Sequence, residues 1–283
     1  MRRANVIIKD TEQIGTVRDL TGVFESIAST QVAKVKSKVE LSKQFFQLLW
    51  QRYTALRIDP ATRITSREDG NGKQVFVVIS AEAGLSGDID QRLIELMLSS
   101  YDPKTTDIVV LGTHGATQLT QQGIPFIRFF RVPESEKYID VSPVIQAVMP
   151  YSKIIVYYEE YISLGVQGIK TLDLMSSMRT MSEEVDEDAM TAEDTIFEPS
   201  LNEIADEMEE TMMKMALEQA ILESGLAQAA SRFNAMAVAK KRAGELLMGY
   251  KLEYHRSKRA DSDRSLREIM VSLKRKKHAG ARR

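Results

Sequence analysis

All seven prolines of this 283-residue chain lie between Pro60 and Pro199, leaving two long terminal runs with no residue that breaks a helix. Asp10 or Thr11 supplies a start for the first, with Glu12 and Gln13 in its opening turn. Apolar residues then recur in steps of three and four at Ile14, Val17, Leu20, Phe24 and Ile27. They continue at Val35, Val39, Phe46, Leu49, Tyr53 and Leu56. Gln31, Lys34 and Ser42 weaken this seam at its middle. The pattern predicts one helix of about 45 residues, roughly 65 Å long, ended by Asp59-Pro60. A second long helix follows Pro199, marked by Ile204, Met208, Met212, Met215, Leu222, Leu226, Phe233, Met236, Leu247, Tyr254 and Ile269. Its middle is rich in small residues, from Ala227, Ala229 and Ala230 to Ala243 and Gly244, which admit close approach of another helix.

The intervening stretch has a different rhythm. Arg67 to Gly72 is turn chemistry, and Val75 to Ile79 is a continuous β-branched and aromatic run suited to a buried strand. A helical pattern (Ile89, Leu93, Ile94, Leu96, Met97) leads to a second strand, Asp107 to Leu111. A short polar stretch, an extended Ile124 to Val132, a helix at Val144, Ile145 and Val148, and a last strand at Lys153 to Tyr158 complete the alternation. Strands alternating with helical spacers predict a small α/β layer with a mainly parallel sheet. A domain of about 110 residues has a radius of gyration near 13 Å, too small to bury both long helices. They bury their apolar stripes most simply against each other. The fold class expected is therefore α/β plus long helices: an antiparallel coiled coil of the N- and C-terminal helices with a small Rossmann-like α/β base. The expected divisions are a long helix at 1–60, the base at 61–180, an acidic flexible connector at 181–194, and a long helix with a basic tail at 195–283.

Composition narrows the chemistry. No cysteine is present, which excludes disulfides, thiolate zinc sites and cysteine nucleophiles. Lys plus Arg (38) nearly balances Asp plus Glu (40), so no global field points to nucleic acid or a membrane surface. No apolar run approaches the length of a membrane span, and the N-terminus has no signal-peptide core. Gly84-Leu85-Ser86-Gly87 lies between strand and helix like a phosphate cradle, but Asp88 and Asp90 follow it and no Lys does, so a structural turn is expected. Gly165 to Thr171 evokes a P-loop, yet Ile169 separates the glycine from Lys170. Glu82, Asp88 and Asp90 read as an acidic helix start rather than a cation site. His114 reads as a structural or neutral residue rather than a catalytic imidazole, and Met208, Met212, Met213 and Met215 as helix packing.

Several elements, in order along nearly the whole chain, resemble one family. They are Gly84-Leu85-Ser86-Gly87 after a strand, Asp107 to Gly112 as the next strand, Phe197-Glu198-Pro199-Ser200, and Arg232-Phe233-Asn234-Ala235-Met236 in the last helix. Together they are similar to the gamma subunits of F-type ATP synthases. Glu82 and Ala83 stand where that family has Asp and Arg, Ser86 where it has Cys, and His255, Lys258 and Arg259 where it has Asn, Arg and Gln. Ser262-Asp263 replaces Ile-Thr, and the end, Lys274 to Arg283, is basic, which marks a divergent member.

The resemblance implies a non-catalytic rotor shaft with no cofactor and no bound metal, seated in a ring of alpha and beta subunits in a three-to-three-to-one complex. Its base adjoins epsilon and the membrane c-ring. Membrane association, on the cytoplasmic side of the cell membrane, is through the complex alone, and nucleic acid is not a partner. Ring-facing residues implied are Ile14, Val17, Val23, Ile27, Lys34, Arg232, Phe233, Met236, Lys240, Arg242 and Tyr254. Gly84, Leu85, Ser86 and Gly87 form the base turn. Two other readings are open: a nucleotide-binding α/β enzyme and a free-standing coiled-coil adaptor.

Overall fold

The computed structural model describes residues 4–55, 72–132, 139–174 and 201–280. The Asp59-Pro60 stop, most of the Arg67–Gly72 turn, the acidic connector at 181–194 and the Phe197 to Ser200 element lie outside the described residues. In chain order the elements are α1 (Ala4–Ala55), β1 (Gln74–Ile79), α2 (Ile89–Ser99), β2 (Thr106–Leu111), α3 (Thr113–Gln121), β3 (Arg128–Phe130), α4 (Ser142–Val148), β4 (Lys153–Tyr161), β5 (Gln167–Asp173) and α5 (Leu201–Gly280). Both long helices are present. The first begins at Ala4, ahead of the expected start at Asp10, because nothing in Ala4 to Lys9 opposes helix.

The five strands run in the order β3-β2-β1-β4-β5. The first four are parallel and β5 is antiparallel to β4. The apolar strands expected from sequence are there because both faces of the sheet are covered. Val75, Val77 and Ile79 of β1 point into one cluster with α4 (Val144, Ile145, Val148), Phe46 and Tyr53 of α1, and Met212, Met213 and Met215 of α5. Phe76 and Val78 point into the other, with Leu93, Ile94 and Met97 of α2 and Leu119 of α3.

Three local features differ from the sequence reading. The polar stretch after β2 is a helix, α3, whose buried residues are only Gly115 and Leu119, too few to give a periodic signal. The extended run from Ile124 to Val132 narrows to the three residues of β3. The Gly165 to Thr171 segment lies in the turn and edge strand of a β4–β5 hairpin. Gly168 and Lys170 pair with Glu160 and Tyr158. Edge strands tolerate such polar composition.

Two compact units form, Met1–Ser26 with Met236–Arg283, and Ile27–Ala235. In the first, the two helices pair antiparallel: Gly15 faces Leu247, Gly22 faces Lys240, and Lys240 Nζ meets Glu25 Oε2 at 2.7 Å. In the second, Val35 and Val39 of α1 pack with Leu226 of α5. Further along, Tyr53 Oη donates to Glu209 Oε1 at 2.5 Å, again antiparallel. Tyr53 is buried, so Tyr53→Phe leaves the ring in place and removes a charge-assisted bond. A loss of about 2 kcal/mol in urea unfolding is expected.

The packed seam of α1 has a strict four-three repeat. Ile7, Thr11, Ile14, Arg18, Thr21 and Glu25 are buried or half-buried, as are Ala28, Val32, Val35, Val39, Ser42, Phe46, Leu49 and Tyr53. This is the 3.5-residue period by which paired helices keep one face together. It corrects the expected seam: Val17, Leu20, Phe24 and Ile27 are not on it. The positions that are on it in the first unit are partly polar. Thr11 and Thr21 satisfy their hydroxyls on the carbonyls of Ile7 and Arg18, and Glu25 is met by Lys240.

Candidate functional site

Displaced by one residue from that seam, about 100° around the helix, α1 carries a second four-three row. Val17, Leu20, Phe24 and Ile27 are 48, 52, 39 and 48 % exposed, and Val6, Leu41, Phe45 and Leu48 extend the row at 48, 65, 60 and 59 %. Lys34 lies on it as an exposed cation. A helix needs one apolar stripe to pack on a neighbour. A second, left facing outward, is more apolar surface than a self-contained protein normally exposes. On α5, Val238, Leu246, Met248 and Leu252 are likewise exposed, as are Leu266, Ile269, Met270, Val271 and Leu273 further along.

The ring-facing residues implied by the resemblance fall into two sets. Val17, Val23, Ile27, Lys34, Lys240 and Arg242 are exposed. Met236 is buried, and Ile14, Phe233 and Tyr254 are half-buried. Met236, Ala243, Leu247, Tyr250, Tyr254 and Ser257 follow the seven- and four-three spacing of a packed seam on α5. Apolar residues on both rows of a helix look alike in sequence, so spacing alone does not separate the two sets. Lys240 is held by Glu25, and half-buried Arg232 donates from Nη2 to the Ala83 carbonyl at 3.0 Å.

The base turn is a joint. Leu85 adopts a left-handed backbone (φ 72°), as does Gly87 (φ 73°), so the turn folds tightly under α5. Ser231 Oγ of α5 donates to the Ser86 carbonyl at 2.6 Å. Ser86 Oγ donates to Asp90 Oδ2 at 3.0 Å, and the Ala81 amide donates to Asp90 Oδ1 at 2.8 Å. His114 Nδ1 lies 2.9 Å from Asp90 Oδ2, so this histidine is an anchored helix residue, the structural one of the two non-catalytic roles expected of it. The three acidic residues diverge. Glu82 serves Thr113 Oγ1 and the Val132 amide, Asp88 pairs with Arg92, and Asp90 is fully buried in the joint.

In open α/β sheets the ligand crevice lies beyond the carboxyl ends of the strands where the strand order reverses. Here that place is between β1 and β4. It is filled by α5: Ser224 Oγ lies 3.4 Å from the Ile79 carbonyl at the end of β1 and 3.0 Å from Glu159 Oε2 on β4. A nucleotide would compete with the chain's own helix for this space, which counts against the enzyme reading. Sequence reasoning passed over Glu159 and Ser224. The available signal was the polar row Ser224, Gln228, Ser231 and Arg232 interrupting an alanine-rich helix.

These features define a class: a protein of two long, paired helices and an α/β sheet layer, with exposed apolar residues along its helices. The sequence profile of the ATP synthase family matches residues 5–274, and the chain belongs to that family. Among relatives, it is 23% identical over 270 residues to the ATP synthase gamma chain of Clostridium novyi, covering 92% of this chain and 93% of that one. It is 22% identical over 275 residues to the gamma chain of Cytophaga hutchinsonii, covering 91% and 93%. A chain in the Euglena gracilis mitochondrial ATP synthase OSCP/F1/c-ring structure superposes with a TM-score of 0.69 at 16% identity, covering 98% of this chain and 96% of that one. Among the described residues no helix is long and apolar enough to cross a membrane.

Proposed function

We infer that this chain is the gamma subunit of a rotary ATP synthase, the central shaft that couples ion flow through a membrane ring to ATP synthesis or hydrolysis at beta subunits. It is not itself catalytic. The observation that carries the reading is the exposed apolar run Val17, Leu20, Phe24 and Ile27 on α1, a surface that calls for a partner and lies beside a seam already filled.

On this reading residues 1–60 and 195–283 are the shaft, and 61–180 the base, with Gly84 to Gly87 toward epsilon and the c-ring. Val17, Val23, Ile27, Lys34, Lys240 and Arg242 contribute to the surface presented to the alpha and beta subunits. Met236 and Tyr254 hold the shaft together from within. The chain resides at the cytoplasmic side of the cell membrane, held there through the complex. Mechanism follows from differential contact. A shaft that meets open and closed beta conformations with unequal free energy shifts their populations, and a shaft that meets them equally shifts nothing.

Co-expression with alpha and beta subunits tests this. A three-to-three-to-one complex whose ATP hydrolysis drives ion pumping is the expected result. A chain that purifies alone and has no affinity for an alpha–beta hexamer would overturn it and favour the adaptor reading.

A further inference from the structure

Glu159 is fully buried, and among the described residues its Oε1 has no hydrogen-bond partner. Its other oxygen, Oε2, meets Ser224 Oγ of α5 at 3.0 Å, and Ser224 Oγ is also 3.4 Å from the Ile79 carbonyl. Gln228 Nε2 donates to the same Ser224 Oγ at 3.0 Å. A hydroxyl has one hydrogen to give. With a neutral carboxyl, Glu159 donates to Ser224 and Ser224 donates to Ile79, so one chain of bonds ties β4, α5 and β1 together. With a carboxylate, Ser224 must turn to Glu159, the Ile79 contact is lost, and a buried charged oxygen is left bare, which is costly.

The charged surroundings favour the neutral form. Asp90 on α2 faces Glu159, and burial first, then that neighbouring negative charge, push the Glu159 carboxyl well above the usual range, against the opposing pull of Gln228 and Ser224. On α5, Arg232 acts on both acids but is itself half-buried and directed to the Ala83 carbonyl. From α3, His114 engages Asp90.

We propose that Glu159 is a positioning residue whose neutral carboxyl keys α5 onto the carboxyl edge of the sheet, so that torque passes between sheet and helix less faithfully once that proton is lost. The torque half of this rests on the rotor reading; the protonation half does not.

The sign follows from linkage. A carboxyl whose pKa is raised by folding favours the folded state fully below its unfolded value. That contribution is lost progressively as pH rises from there to the folded value. Glu159→Gln keeps the shape and stays neutral throughout. In urea unfolding of the full chain between about pH 6 and about pH 9, the wild-type unfolding constant is expected to climb relative to E159Q by up to about tenfold per pH unit within that window. Parallel pH profiles would overturn the proposal. Should E159Q fail to fold, a chain that keeps Glu159 decides. An infrared band of a protonated carboxyl that persists at neutral pH after Glu218 and Glu223 are both replaced by glutamine supports the proposal, and its absence overturns it. In the assembled complex, ions pumped per ATP hydrolysed should fall at alkaline pH with wild type and hold with E159Q. An equal fall in both would overturn the torque half. If the chain does not assemble with alpha and beta subunits, the rotor reading fails, while the unfolding and infrared results still decide the state of Glu159.

Discussion

Replacing Val17, Leu20 and Phe24 together by glutamate is expected to leave the chain folded and to abolish its assembly with alpha and beta subunits. All three are half-exposed members of the second row, and none lies on the packed seam. Glutamate is a good helix former, and exposed substitutions usually change stability by no more than about 0.5 kcal/mol each. The helix content and unfolding midpoint should therefore shift little. On the rotor reading the same positions meet a partner surface in the ring, where each carboxylate must be stripped of water or the contact given up. Even about 1.4 kcal/mol per site is about a thousandfold in affinity over the three. Measuring co-purification and pumping in the triple variant distinguishes the outcomes. Assembly at wild-type affinity would mean that the row faces solvent in the working complex. Ala28→Glu is the control with the opposite expectation. Ala28 is fully buried on the packed seam, so the charge should weaken the chain itself by about 3 kcal/mol.

That contrast also marks how far the sequence could be read. The four-three recurrence and the absence of proline made both long helices plain. It did not separate the two rows of α1. A path through Ile14, Val17, Leu20, Phe24 and Ile27 steps off the packed seam after Ile14 and returns only at Val35. The true seam in that region runs through Thr11, Arg18, Thr21 and Glu25. Polar residues occupy it because neighbouring groups satisfy them, as Lys240 does Glu25, and no one-dimensional pattern carries that partner. The doubly covered sheet was legible in the unbroken apolar strands. Edge strand β5 and helix α3 were not, since each buries too little to be periodic. The joint was hidden for a different reason. Asp90 and Glu159 are 69 positions apart, and their surroundings are made by α5 arriving from a third stretch of chain. The sequence holds the parts, and only the crossing of α5 over the sheet's carboxyl edge makes them one network.

A single methyl group at Gly112 should do more damage than any other small substitution in the base. Gly112 follows β2 with φ 97°, and a Cβ there would lie 2.1 Å from the Ser80 carbonyl oxygen and 2.7 Å from Ser80 Oγ. The nearest obstacle is backbone, so no rotamer relieves it. Gly123 separates the two effects: its φ is 69°, yet a Cβ there meets nothing within 4 Å. Gly123→Ala should therefore cost about 1 kcal/mol, the penalty of a left-handed backbone alone. Gly112→Ala adds overpacking against a strand end and should cost about 4 kcal/mol, a large share of the roughly 5–15 kcal/mol by which a protein is stable. Urea midpoints at unchanged slope read both values, and equal losses at the two glycines would show that the Ser80 contact yields without cost. The consequence extends past stability. Ser80 Oγ bonds the Leu111 carbonyl and receives the Gly115 amide. The next residue, Ala81, holds Asp90 through its amide. Displacing Ser80 therefore pulls on the carboxyl edge where α5 is seated. A Gly112→Ala chain that still assembles should hydrolyse ATP with fewer ions pumped per turnover, because the loosened part is the joint and not the surface offered to the ring.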